Sequence, residues 1–200
     1  MKKFMRCLCL GAPQCGKTSV MMTLNMVENV LSKPYVPTLE DTYLIQTGLD
    51  ASEKAAENLV FYDSSGLKKD NIELKRSLLQ VTDCFILTFS LTNYESFEVV
   101  DAVKRYLDKN VLKDKKDAQV VLLGTMADCK QRAVGTDLVQ QWAAREKIRY
   151  FEMCTADRTA VTEMVHYIVG RHFHTSREPK FSLSKKLKPE RSNAQILMDF

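Results

Sequence analysis

The sequence predicts an α/β fold, a mostly parallel six-stranded sheet flanked by helices. Three observations predict it. Two continuous apolar runs of strand length, "CFILTFSL" (84–91) and "AQVVLLG" (118–124), lie in the middle of the chain; runs of this kind alternate with helical patterns; and "GAPQCGKT" (11–18) stands at a strand-to-helix junction. Apolar runs without period-two alternation belong to strands covered on both faces, as in a parallel sheet between two helix layers.

The elements follow in order. "FMRCLCLG" reads as a first strand ending at Gly11, and "TSVMMTLNMVENVLS" carries apolar residues at helical spacing. Beyond Pro34 and Pro37 the chain is extended. "TYLIQTGL" and "NLVFYD" read as two strands joined by the polar "DASEKAAE", an antiparallel pair at one edge. After the two apolar strands, "NYESFEVVDAVKRYLDK" and "TDLVQQWAAREK" supply helices, "IRYFEMC" a last strand, and "RTAVTEMVHYIVGRHF" a last helix with Gly170 near its end. Residues 1–174 form one domain on this reading, and 175–200 a basic, flexible tail rich in Ser, Lys, Pro and Arg.

Residues 171–200 hold seven Lys/Arg against three Asp/Glu, which accounts for the whole net charge of +4. The rest is balanced, so no nucleic-acid-binding face is expected. Six cysteines fall mostly in apolar runs without a CxxC pair or a histidine at zinc spacing, and read as buried reduced thiols of a cytoplasmic protein. No apolar run reaches the length of a membrane span, Lys2 excludes myristoylation, and the final "LMDF" excludes prenylation. Trp142, grouped with Leu138, reads as core, and His166, His172 and His174 as surface or interface residues.

"GAPQCGKT" satisfies G-x-x-x-x-G-K-[ST] in the strand–loop–helix context that the motif requires. Glycines permit a tight loop whose N–H groups point at phosphates, and the helix start adds its positive dipole end. Gly11, Ala12, Pro13, Gln14, Cys15, Gly16, Lys17 and Thr18 are the phosphate-binding candidates; Lys17 bridges the outer phosphates, and the Thr18 hydroxyl serves Mg²⁺. The loop alone does not choose between ATP and GTP. Helix-start N–H groups also lead one to expect a low, reactive pKa for Cys15.

"YVPTLEDTY" (35–43) resembles the first switch of Ras-family GTPases, and Asp63 to Gly66 resembles their D-x-x-G element. "YDSSGL", "ESF" (95–97), "QQWA" (140–143) and "EKIRYFEM" followed by "TADR" bring the chain close to the kappaB-Ras family, the NF-κB inhibitor-interacting Ras-like proteins. The resemblance implies a G domain of the P-loop NTPase class, with GTP or GDP and Mg²⁺ as cofactors. It makes Thr38 and Asp63 partners of Thr18 at the metal and Gly66 the γ-phosphate's backbone donor. By the same resemblance the partners are IκB-type proteins, and the GTPase-activating complex for Ral is a further one; a monomer without lipid anchor is expected.

Departures from the Ras pattern shape the functional expectation. The glutamine that orients the attacking water is replaced by Leu67, and Pro13 stands where Ras has glycine, beside the entry path of an arginine finger worth about 10³–10⁵ in rate. "TMAD" replaces N-K-x-D, leaving Thr125, Met126 and Asp128 to meet the base, and "MCTADR" replaces the S-A-K element, leaving Cys154 and Thr155. The expected activity is GTP binding with little hydrolysis, in a modulator of NF-κB signalling. A slowly cycling GTPase and a nucleotide-free scaffold stay open as alternatives.

Overall fold

The computed structural model describes residues 4–25, 35–47, 57–154 and 158–174. Six strands form one sheet: β1 (Phe4–Gly11), β2 (Glu40–Thr47), β3 (Glu57–Ser64), β4 (Cys84–Ser90), β5 (Gln119–Thr125) and β6 (Arg149–Glu152). Their order is β2-β3-β1-β4-β5-β6. β2 pairs antiparallel with β3 at one edge, and every other pairing is parallel.

The helices are α1 (Lys17–Leu24), α2 (Arg76–Val81), α3 (Tyr94–Leu107), α4 (Thr136–Glu146) and α5 (Arg158–Val169). α3 and α5 each run on into one wider π-helical turn, Asp108–Leu112 and Gly170–His174. The last helix thus runs through Gly170, which lies near its end as the sequence led one to expect. Much of the predicted first helix, the β2–β3 connection and the tail lie outside the described residues.

The central strands are buried on both faces because alternate residues serve two cores. In β4, Phe85, Leu87 and Phe89 face one cluster with Phe97, Val100 and Val103 of α3 and Trp142 of α4. Cys84 and Ile86 face the other, with Val20 and Met21 of α1 and Val161, Met164 and Ile168 of α5. Fully burying such side chains is worth about 1.5–3 kcal/mol each, so the sandwich sets the sheet's position. Phe97 stands edge-on to both Phe89 and Trp142, with ring centroids 5.1 and 5.6 Å apart. Trp142 is core, and its indole N–H donates to Asp101; Leu138, grouped with it on the sequence, points outward instead and is exposed.

Helix α3 begins where Asn93 accepts from the Glu95 and Ser96 amides, an N-cap that satisfies two of the orphan donors. Helix α2 has no such cap and buries only Leu79. β1 lies between β3 and β4, and its carboxyl end is the place where an open α/β sheet opens a crevice. Gly11 ends that strand.

Candidate functional site

The loop after β1 is built by close approaches that exclude side chains. A Cβ on Gly11 would lie 2.0 Å from the Thr88 carbonyl oxygen of β4, so only glycine fits. Gly16, at the start of α1, has φ +89°, a left-handed conformation that glycine adopts without strain. Cys15 turns inward: its thiol donates to the Thr88 carbonyl (3.2 Å), and its own carbonyl accepts from the Thr125 hydroxyl (2.7 Å). Burial raises the Cys15 thiol above its ordinary pKa, with the Lys17 charge pulling the other way. The expectation of a low, reactive pKa is thus overturned, since desolvation outweighs the helix start.

Lys17 is buried, and its ammonium donates to the Gly11 (3.2 Å) and Ala12 (2.9 Å) carbonyls, so the charge is held over the loop. Thr18 opens the metal candidate set. Its hydroxyl donates to Asp63 Oδ2 (2.5 Å), and because that uses its only hydrogen, the Thr38 hydroxyl at 2.9 Å must donate to Thr18. The three residues expected to meet a metal therefore touch, although 20 and 45 positions of sequence separate Thr38 and Asp63 from Thr18.

Asp63 is 1% exposed, and its Oδ1 has no hydrogen-bond partner among the described residues. Burial pushes its carboxyl above the ordinary value, while the Thr18 hydrogen bond and the Lys17 charge hold it down and Asp41 adds to the rise. A buried carboxylate oxygen left unpaired is costly, and a hard cation beside two hydroxyls relieves it. The donor set fits Mg²⁺, which takes oxygen ligands and keeps several waters.

The D-x-x-G segment is fastened to the loop. The Ser64 hydroxyl donates to the Cys9 carbonyl (2.7 Å), and the Leu67 amide donates to the Gly11 carbonyl (3.0 Å). A Cβ on Gly66 would meet Pro13 Cγ at 2.5 Å, so the proline ring rests directly on the glycine. Leu67 is 5% exposed and joins the core cluster of Leu10, Ala12 and Leu79. The side chain at the water-orienting position is thus turned into the core and serves as packing.

At the other end of the loop, Thr125 is buried, and its hydroxyl reaches the Cys15 and Phe89 carbonyls. It ties the loop to two strands. Met126 has φ +60°, and its thioether accepts from the Ser90 (3.0 Å) and Thr92 (3.4 Å) hydroxyls. Asp128 is exposed, and the Ala127 amide donates to the Met153 carbonyl (3.2 Å), which brings the strand end before half-buried Cys154 alongside. Thr155 lies outside the described residues. Of the cysteines, Cys7, Cys9, Cys15 and Cys84 are buried, but Cys129 is exposed, contrary to the uniform burial expected.

Residues 6–173 match the family model described as Ras family. The chain belongs to the Ras family. Among curated relatives it is 33% identical over 189 residues to NF-kappa-B inhibitor-interacting Ras-like protein 2 of Homo sapiens, covering 94% of this chain and 96% of the relative. It is 31% identical over 196 residues to the corresponding protein 1 of Mus musculus, covering 98% and 100%, and 36% identical over 149 residues to protein 2 of Xenopus laevis, covering 74% and 88%. It is therefore a Ras-like GTPase relative of the NF-kappa-B inhibitor-interacting Ras-like proteins.

Several residues that shape this Ras-family site carry no sequence signal. Thr88 sets the Gly11 contact and holds Cys15; Ser90 and Thr92 hold Met126; Arg132 grips Glu152 through two N–H groups (3.1 and 2.7 Å) while the Tyr150 hydroxyl donates to the same carboxylate. A hollow of about 410 Å³ opens beside Asp63 between β2, β3 and α2, lined by Asp41, Thr42, Tyr62, Leu78 and Val81 and crossed by a Lys75–Glu40 ion pair. In the segment that leads into β2, Val36 and Leu39 are 73% and 85% exposed. Among the described residues, no helix is long and apolar enough to cross a membrane.

Proposed function

We propose that this chain binds a guanine nucleotide with Mg²⁺, hydrolyses it little, and acts as a cytoplasmic binding module rather than a timed switch. The observation that carries the reading is the placement of Leu67: its side chain is in the core and its amide is on Gly11, so no donor or acceptor is left where an attacking water needs one. Pro13 adds to this, because its ring lies on Gly66 where an inserted arginine needs room.

In this reading Gly11 to Thr18 and the Gly66 amide cradle the phosphates. Thr18, Thr38 and Asp63 hold Mg²⁺, which when bound supplies charge neutralisation at the phosphate oxygens. Met126 offers its flank to the purine, held by Ser90 and Thr92; Asp128 offers the one base-pairing carboxylate; Cys154 and Thr155 close the edge. With the Thr125 hydroxyl already committed to two carbonyls, base affinity rests on few contacts.

The relatives' names refer to NF-kappa-B inhibitors, and on that ground IκB-type proteins are the proposed partners; the Ral GTPase-activating complex is a further one on the family resemblance alone. Tyr35, Val36 and Leu39, exposed in the segment that leads into β2, supply apolar surface of the kind partners take. The test is to denature freshly purified protein and identify the released nucleotide by chromatography. Mostly GTP, near one per chain, is expected. Mostly GDP overturns the claim of little hydrolysis, and no nucleotide, with none taken up from Mg²⁺-GTP, overturns binding.

A further inference from the structure

β2 is the outermost strand on one side of the sheet, so one of its edges has no strand partner among the described residues. Beside that edge the sheet is thinly covered. Leu44 stands opposite Val60 and Thr42 opposite Tyr62, and directly opposed residues of an antiparallel pair point to the same face. Tyr62 and Thr42 line the same hollow as Leu78 and Val81, so this is the face that carries α2. α2 has only six residues, and the pair beyond Thr42 and Tyr62 stays uncovered: Leu44 is 56% exposed, and Val60 is half-buried and belongs to neither core cluster. Open N–H and C=O groups beside an apolar strip are a template for another strand. Apart from Glu40 and Asp41 at one end, β2 carries no charge that deters pairing.

The chain itself contains a segment of matching length, pattern and charge. Between Pro179 and Pro189 runs "KFSLSKKLK" (180–188), nine residues against the eight of β2. Prolines cannot donate to a ladder and bound the segment on both sides. Alternation puts Phe181, Leu183, Lys185 and Leu187 on one side and only Ser and Lys on the other, a strand pattern with one apolar face. The segment holds four lysines and no acid. On β2, Glu40 is paired with Lys75, whereas exposed Asp41 makes no ion pair among the described residues.

The connection is long enough. The side-chain amide of Gln119, the first residue of β5, donates to the Ile168 carbonyl (3.1 Å), so α5 ends where the parallel strands begin. Thr47 of β2 lies at that same end, opposite Glu57, the first residue of β3. From β5 to β2 is four strand spacings, about 19 Å. The seven steps from His174 to Phe181 span up to about 23 Å. A tether this short gives an effective concentration in the millimolar range, so even a weak contact is populated.

We propose that residues 180–188 add to the open edge of β2 as an antiparallel strand, with Leu183 opposite Leu44, and so close this edge to any other strand. In that register Phe181 lies opposite Gln46, on the face of Leu44, and Lys186 falls opposite Asp41. A slip of one residue turns Phe181 and Leu183 to the other face and parts Lys186 from Asp41. One register therefore serves the apolar strip and the charge together.

An equal mixture of isotope-labelled and unlabelled full chains is treated with a water-soluble carbodiimide, which joins a touching lysine amine and carboxylate as an amide while the reagent takes up the water. Mass spectrometry of the linked peptides is expected to find Lys186 joined to Asp41 within one chain. Hydrogen exchange reads the same contact: Phe181→Ser with Leu183→Ser speeds exchange of the β2 amides about tenfold or more, while β5, paired on both sides, keeps its rate. Ile196→Ser with Leu197→Ser, in the same tail, leaves β2 within about twofold. Links only between labelled and unlabelled chains assign the edge to a second copy and overturn the proposal. So does unchanged β2 exchange in the Phe181 and Leu183 variant, or equal acceleration in the two tail variants.

Discussion

Leu67→Gln is the substitution that most sharply separates a missing catalytic group from a rebuilt switch. If Leu67 were only an absent glutamine, restoring the glutamine would restore hydrolysis. The structure predicts otherwise, because the side chain is 5% exposed among Leu10, Ala12 and Leu79 and the Leu67 amide is bonded to Gly11. A glutamine there either stays in the core with an amide that lacks partners, costing about 1–3 kcal/mol, or swings out and forfeits burial worth about 1.5–3 kcal/mol. A loss of about 2–3 kcal/mol lowers Tm by about 4–12 °C for a chain of this size. Thermal unfolding by circular dichroism reads the first quantity, and single-turnover hydrolysis of bound Mg²⁺-GTP the second. The expected result is a clear drop in Tm with a rate within about twofold of the parent, since Pro13 still covers Gly66. A tenfold or greater acceleration at unchanged Tm refutes the reasoning.

Other outcomes follow from the same geometry. Gly66→Ala forces a Cβ to 2.5 Å from Pro13 Cγ, so it destabilises the chain by about 1–3 kcal/mol, and Pro13→Gly in the same chain recovers much of that; additive losses in a double-mutant cycle by urea unfolding would contradict the contact. Asp63→Asn removes the buried charge that Mg²⁺ satisfies, so the rise in Tm on adding Mg²⁺ with nucleotide falls to that seen with nucleotide alone. The Arg132 hydrogen bonds, opposed by burial and helped by Tyr150, hold the Glu152 carboxyl below its ordinary value. Its folded-state pKa being depressed, the stability it contributes is present above about pH 4.3 and is lost as pH falls through the folded value; Glu152→Gln therefore costs up to about 1 kcal/mol at pH 7, and urea midpoints of the two proteins converge once the pH has fallen below that folded value. In alkylation followed by mass spectrometry, Cys129 labels fastest and Cys15 far more slowly, because Cys15 is buried with its thiol pKa raised; comparable rates would contradict its inward placement.

The sheet was legible because its strongest strands, β4 and β5, are apolar on both faces, and period and length then agree. The phosphate loop was legible because glycine spacing and the flanking strand and helix state the same thing. Helix α2 was not: it has six residues, no side-chain cap and one buried residue, too little periodicity to register. Thr18 was legible from the loop motif, but Thr38 and Asp63 could be named for the metal candidate site only through resemblance, since they lie far from Thr18 in sequence and the fold alone brings their oxygens within 2.9 Å of its hydroxyl. Leu67 read as a loss, whereas the sheet and α2 give it a place in the core. Cys15 misled for the opposite reason: a loop position suggests exposure to helix-start amides, but contact with Thr88 turns the thiol inward, where desolvation decides its pKa. Cys129 and Leu138 sit in runs of ordinary polarity, and only the packing of their neighbours shows them to face water.

The central claim is that the chain holds GTP without consuming it. Single-turnover hydrolysis of Mg²⁺-GTP on the unmodified full chain tests it most directly, with Lys17→Ala as the control that removes the phosphate-site charge. The account predicts a bound triphosphate that stays intact over hours, at a rate at least about tenfold below the slow intrinsic Ras rate of about 10⁻⁴ s⁻¹. Hydrolysis at that rate or above it, abolished by Lys17→Ala, contradicts it.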